Sequence, residues 1–429
     1  MAKLFSEAEN PRWKRTFFPI WGGQAASLLG SQVVQFALIW YLTLKTESAT
    51  VLATASIFEF LPGIFLSPFI GALVDRWNRR RIMIVADTVV ALATLLLVGL
   101  FWMGVVQVWH IYIIIFVRAV GGRFHGPAMG ASTSLMVPKE HLTRIQGLNQ
   151  TLQGGLNLIA APMGALLMEV LPIEGVVAVD VVTAALAVLP LLFIDIPQPE
   201  PSSDQLEGKF SLWQETLAGF RYIFGWPALL IIILTATLLN FFIAPTFSLL
   251  PLLVKNHFQG GALELSYLES IFGVGTIMGG IVLGVWGGFR RKILNIGVSI
   301  FGLGVTSLVI GFAPEGGYWA AFAVMWLGGL MLPIANGTLG AIFQSAVEPA
   351  MQGRVFSAIG SAANAITPIG YALAGPLSDK FGIQIWFVVT GVVLFLTSIA
   401  QLTLPMLANI DQQAEERRVE IEMAATTQP

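Results

Sequence analysis

Gly71-Ala-Leu-Val-Asp75-Arg76-Trp-Asn-Arg79-Arg80-Arg81-Ile82 is a short charged interruption between two long apolar runs. It holds one acid and four arginines, which cannot lie in hydrocarbon, so it marks a membrane surface. Short basic loops stay on the cytoplasmic side, and the arginine excess therefore places this loop inside. The composition agrees with a lipid-solvated chain. Of 429 residues, 55% are hydrophobic and only 11% charged, with a mean hydropathy of +0.77. Soluble domains carry about 25% charged residues. The net charge of −2 gives no basic face for nucleic acid, and the absence of cysteine removes disulfides, thiolate metal sites and cysteine nucleophiles.

A spanning helix needs about 20 mainly apolar residues. Counting outward from the arginine loop, the segments 17–44, 49–74, 82–103, 108–131, 144–168 and 175–195 qualify, followed by 227–254, 263–286, 293–313, 317–344, 353–378 and 382–407. The first is read as a retained span and not a signal peptide. With the N-terminus inside, cytoplasmic segments hold 18 of the 23 basic residues. External loops hold only Lys45, Lys255 and Lys380, and Arg118 and Arg123 fall inside the fourth span. Both termini are expected in the cytoplasm.

The expected organisation is all-α: a six-helix half (1–196), a cytoplasmic linker (197–226), a second six-helix half (227–407) and a tail (408–429). The linker opens Pro-rich and then places Phe210, Trp213, Leu217, Phe220 and Phe224 three and four apart, which predicts a helix lying on the inner membrane surface. The halves repeat each other at an offset near 210. Arg79-Arg80-Arg81-Ile82 corresponds to Arg290-Arg291-Lys292-Ile293, and the Val137 to Arg144 stretch to Val347 to Arg354. Such repeats point to a transporter whose cavity lies between pseudo-symmetric halves.

The Gly71-x-x-x-Asp75-Arg76-x-x-Arg79-Arg80 pattern resembles the signature between spans two and three of the major facilitator superfamily. Trp13-Lys14-Arg15, Ile20-Trp21-Gly-Gly-Gln24, Phe60-Leu61-Pro62, Phe124-His125-Gly-Pro127, Gly353-Arg354, Pro368-Ile-Gly370 and Asp379-Lys380 resemble the bacterial macrolide-efflux transporters. The resemblance implies a proton-driven drug exporter in the plasma membrane, working as a monomer by alternating access. Its partners would be an amphiphilic drug, protons and lipid, with no cofactor, metal or enzymatic activity. It further implies that Gly71, Asp75, Arg76, Arg79 and Arg80 form a conformational gate, and that Arg118 takes part in proton coupling. A purely topogenic loop and a structural arginine are the alternatives. A proton-coupled importer or exporter of another metabolite, or a non-transporting receptor, are the rival functions.

Four acids fall in spans: Glu59, Asp87, Asp180 and Glu269. An acid in a low-dielectric site can hold a proton and release it when water or a cation arrives. Asp180 and Glu269 also resemble acids of macrolide-efflux proteins. Asp87 is expected to pair with the Arg79–Arg81 cluster, and His125 to be structural. Gln24, Gln32, Gln35, Asn240, Asn336 and Asn364 supply amides for a drug cavity or for helix packing. In span five, Gly155, Pro162 and Gly164 make a degenerate form of the antiporter Gly-Pro pattern, read as a bend or as close packing.

Overall fold

A computed structural model of the chain describes residues 12–198, 227–347 and 363–403, with positions 221, 355, 359 and 360. The interfacial helix expected after Phe210 and the tail lie outside the described residues, as does most of the start of span eleven. Among the described residues the secondary structure is helical throughout. The helices are α1 Trp13–Thr46, α2 Ala49–Arg76, α3 Arg79–Trp102, α4 Val108–Met136, α5 Lys139–Val170 and α6 Ile173–Phe193. They continue as α7 Pro227–Asn256, α8 Ala262–Trp286, α9 Lys292–Phe312, α10 Tyr318–Ala346, α11 Thr367–Phe381 and α12 Gln384–Thr403. Ten are long and apolar enough to cross a bilayer. The other two are α4, which carries Arg118 and Arg123, and α11, whose described length is 15 residues.

The arginine loop is shorter than its run of charge. Arg76 still belongs to α2, and Arg79 to Arg81 form the first turn of α3. Only Trp77 and Asn78 lie between the two helices. The Asn78 side chain accepts the Arg81 N–H (3.0 Å), satisfying one of the free donors at the α3 N-terminus.

The chain divides into two compact units, one of 1–47 and 54–210, the other of 48–53 and 211–429. In the first, α1 packs on α4, α5 and α6, and α3 on α4 and α6. In the second, α7 packs on α8, α11 and α12, α9 on α10 and α12, and α8 on α10. The pairs α1/α6, α3/α4, α3/α6 and α1/α5 thus recur as α7/α12, α9/α10, α9/α12 and α7/α11. The first turn of α2, Ser48 to Ala53, belongs to the second unit.

Lipid tails are as apolar as leucine, so helices in a membrane associate by close packing and polar contacts. The α8/α10 seam shows this. A Cβ on Gly275 would lie 2.9 Å from Leu330 N, and one on Gly279 would lie 2.7 Å from Pro333 Cγ. Only bare backbone allows these helices to meet so closely. At the basic end of the first unit, Trp13, Phe17, Met83, Met136 and Leu191 form a fully enclosed apolar cluster.

Candidate functional site

The first unit holds a half-open cavity of about 260 Å3, whose lining includes the polar groups Gln24, Ser31, Gln35, Glu59, Asp87, Arg118 and His125. Its walls come from α1, α2, α3, α4 and α6. Helix α1 supplies a polar stripe, Gln24, Ser27, Ser31 and Gln35, spaced three or four apart so that all four fall on one face.

At one side of the cavity Arg118 of α4 forms an ion pair with Asp180 of α6. Their side chains are only 8% and 1% exposed. The pair is also hydrogen-bonded. Ser31 Oγ donates to Asp180 Oδ1 (2.8 Å) and Thr94 Oγ to Asp180 Oδ2 (3.0 Å). Arg118 donates in addition to the Ser31 carbonyl (2.8 Å) and to Thr94 Oγ (3.2 Å). The carboxylate therefore has partners on both oxygens, as a buried charge requires. This site joins α1, α3, α4 and α6 through one acid.

The other two acids have softer partners. Asp87 accepts from Gln24 Nε2 (3.1 Å), and His125 Nε2 stands 3.7 Å from its other oxygen. Glu59 accepts from Gln35 Nε2 (3.1 Å). Gly63 leaves room for the Arg123 guanidinium, since a Cβ there would lie 2.7 Å from Arg123 Cζ. The expected link between Asp87 and the Arg79–Arg81 cluster is not formed. Arg79 instead donates to the Ala131 carbonyl (3.0 Å), and Arg80 pairs with Asp195 and with the Leu192 carbonyl (2.9 Å) at the end of α6. The reason is depth: Asp87 lies two turns into α3, where α1 and α4 present Gln24 and His125, while the arginines reach the helix ends.

Of the remaining sequence candidates, Gln32 lines the same cavity. Gly71, Asp75 and Arg76 sit in the last turns of α2, and their side-chain surroundings lie outside the described residues. In the second unit, Asn240 and Asn364 bond the carbonyls of Ala236 and Gly360 in their own helices, and Asn336 is exposed. Glu269 is half-buried in α8 and has no hydrogen-bond or ion-pair partner among the described residues. In α5 the helix runs unbroken through Pro162. Gly164 meets α1, where a Cβ would lie 2.9 Å from Phe36 Cδ1, whereas Gly155 faces open space.

A cavity of this size falls below the about 300–1,000 Å3 that drug-sized ligands occupy. Its chemistry is that of acids, amides and one imidazole, so it suits protons and water better than a whole amphiphile. A larger groove of about 760 Å3 beside α3 and α4 is lined mostly by apolar side chains, Val85, Val89 and Phe116 among them.

Comparison with known proteins gives consistent results. A family model described as transmembrane secretion effector matches residues 7–428. Macrolide efflux protein A of Streptococcus pyogenes is 36% identical over 389 residues, covering 90% of this chain and 95% of that one. The protein of the same name from Enterococcus faecalis is 36% identical over 325 residues, covering 75% and 99%. Among solved structures, a bacterial homologue of the iron transporter ferroportin in an inward-facing state aligns with a TM-score of 0.70. That alignment covers 91% of this chain and 99% of that one at 16% identity, a likeness of fold.

Proposed function

The chain belongs to the transmembrane secretion effector family of major facilitator transporters, and on that premise we propose that it expels macrolide-type amphiphilic drugs in exchange for protons. The observation that carries the coupling is the cavity of the first unit, where Glu59, Asp87, Arg118 and His125 converge and Asp180 pairs with the arginine beside it, five groups from four helices. The macrolide class is supported by the two relatives, both macrolide efflux proteins, which match along most of their own length.

The acids divide by partner. Asp180 is ion-paired with Arg118 and hydrogen-bonded to Ser31 and Thr94, so its role is to fix α4 and α6 and to keep the arginine in place. Asp87 and Glu59 rest on amides and on His125, which tolerate either protonation state with small rearrangement. A proton arriving on Asp87 or His125 changes the charge of the cavity without breaking a buried ion pair. We assign the travelling proton to these groups, with Glu269 of the second unit as the candidate partner for a cationic drug.

Transport proceeds by alternating access. The Gly71–Arg80 segment serves as the gate on the cytoplasmic face of a bacterial plasma membrane, and the excess of basic residues in the short loops of that face supports cytoplasmic termini. The test is macrolide uptake into inside-out vesicles with an imposed acid-inside gradient. Accumulation that an uncoupler abolishes supports the reading. Absence of accumulation across several macrolides, with folded protein, removes the substrate class.

A further inference from the structure

Two of the three arginines that open α3 are taken up by the protein itself. Arg79 donates to the Ala131 carbonyl, and Arg80 pairs with Asp195 and the end of α6. Arg81 differs. Its side chain is exposed and has no hydrogen-bond or ion-pair partner among the described residues. It lines the groove of about 760 Å3 beside α3 and α4, together with Asn78 and Trp77. No acid lines this groove, and Arg81 is its one charged residue among those described. The polar cavity is the opposite case, since Glu59 and Asp87 both face it.

The groove has the length of one leaflet. Its α3 wall runs from Arg81 to Val89, about 12 Å at 1.5 Å per residue. Half of a bilayer's hydrocarbon core is about 15 Å. The groove thus starts at the charged surface and ends within the same leaflet. Beyond the first turn its walls are apolar and open, with Val85 and Val89 59% and 46% exposed. At its charged end the Trp77 ring stacks on Phe124 (6.5 Å between centroids), the level at which membrane tryptophans meet lipid headgroups. The Asn78 Oδ1 accepts the Arg81 N–H, which leaves the Asn78 amide nitrogen free to donate elsewhere.

We propose that this groove binds one acyl chain of an anionic phospholipid, with the lipid phosphate held by the Arg81 guanidinium and the Asn78 amide. Charge selects the occupant. A guanidinium matches phosphate geometry and offers paired donors to its oxygens. A cationic amphiphile, the drug class proposed above, meets the wrong sign here. On the cytoplasmic reading of the arginine loop, the lipid comes from the inner leaflet. The site lies wholly within the first unit and holds whether or not the transported drug is a macrolide.

The test is native mass spectrometry of the purified full chain in detergent, titrated with phosphatidylglycerol or with phosphatidylcholine of the same acyl chains. The first bound phosphatidylglycerol should be about fivefold tighter than phosphatidylcholine, the factor that one arginine adds beside an anionic headgroup. Arg81→Gln should abolish this preference and leave phosphatidylcholine binding as it was. Val85→Trp fills the groove from an exposed position and should remove the first binding step for both lipids. Val89→Trp makes the same test should the first tryptophan variant not be recovered. Glycerol phosphate, which has the headgroup chemistry without the chain, should not compete at the concentration where the lipid saturates. A preference that persists in Arg81→Gln, or a first step unchanged in the tryptophan variants, overturns the proposal. Competition by glycerol phosphate would make this a phosphate site and not a lipid site. Displacement of the lipid by an equal concentration of a macrolide would assign the groove to the drug. Either result also overturns it.

Discussion

Neutralising either member of the Arg118–Asp180 pair should damage folding, while neutralising both should damage only transport. Both side chains are almost wholly enclosed. Removing one partner from a buried pair leaves an uncompensated charge and costs about 3–5 kcal/mol. In Asp180→Leu the arginine keeps its bonds to the Ser31 carbonyl and Thr94 Oγ, which places that variant near the lower figure, about 3 kcal/mol. In Arg118→Met the carboxylate keeps the Ser31 and Thr94 hydroxyls and loses its one charged partner among the described residues. Replacing both charges by apolar groups removes the desolvation penalty with the attraction, and such swaps are often neutral. The double variant should therefore unfold within about 1 kcal/mol of the wild type, giving a coupling of several kcal/mol against the sum of the singles. Denaturant unfolding of the four proteins in one detergent measures this, with proton-driven uptake measured beside it. Singles as stable as the wild type would refute the buried-charge argument. A double variant that transports with the normal pH dependence would reduce the pair to a structural element.

Other perturbations test the remaining assignments. His125→Gln keeps a polar group beside Asp87 but cannot titrate, so drug binding should survive while the pH profile of uptake flattens; an unaltered profile would move the proton elsewhere. Glu269→Gln should weaken uptake of cationic drugs and leave its dependence on the pH gradient in place, read as uptake with and without the gradient; lost gradient dependence would move proton handling to the second unit. Gly279→Leu places a side chain against Pro333 and the α10 backbone, and should lower stability by about 1–3 kcal/mol or more in a thermal melt. The cap on the α2 N-terminus has a pH response that follows from Asp379. Partial desolvation would raise its carboxyl, but hydrogen bonds from Thr50, Ala49 and Ser48 outweigh this and hold it below the usual carboxylate range. A lowered acid contributes fully above its unfolded value and loses the contribution as pH falls through the folded one. Thermal stability should therefore keep the Asp379 contribution down to about pH 5 and lose it only in stronger acid.

Much of the fold could be read directly from the chain, because a lipid solvent demands long apolar runs and leaves charges only at the ends. The arginine cluster located a helix boundary within a few residues for that reason. The site was legible in its parts but not in its pairings. Arg118, Asp180 and Glu59 stood out as charges where charges are expensive, yet nothing local joins Arg118 to an acid 62 positions away. That pairing exists because α4 and α6 both flank α1 and α3. Asp87 was assigned to the nearest arginines in sequence, and the structure turns it to Gln24 and His125, which are near only in space. Ser27 and Ser31 went unremarked although they complete a helical stripe with Gln24 and Gln35. Looking for polar spacing of three and four, and not for charge alone, would have found them.

The chain uses close helix contacts in two physically different ways, and the difference bears on which surfaces move. In the α8/α10 seam, Gly275 and Gly279 are spaced one turn apart, and the partner backbone lies against both. Such a contact gains dispersion over a long stretch and has no water to replace it, so separating the helices would lose it all at once. At Gly375 the close approach is confined to one turn, and the attraction beside it comes from three hydrogen bonds at an exposed acid. Water can replace each of those bonds as it breaks, so the cost of opening is the small net value of a capped over an uncapped helix.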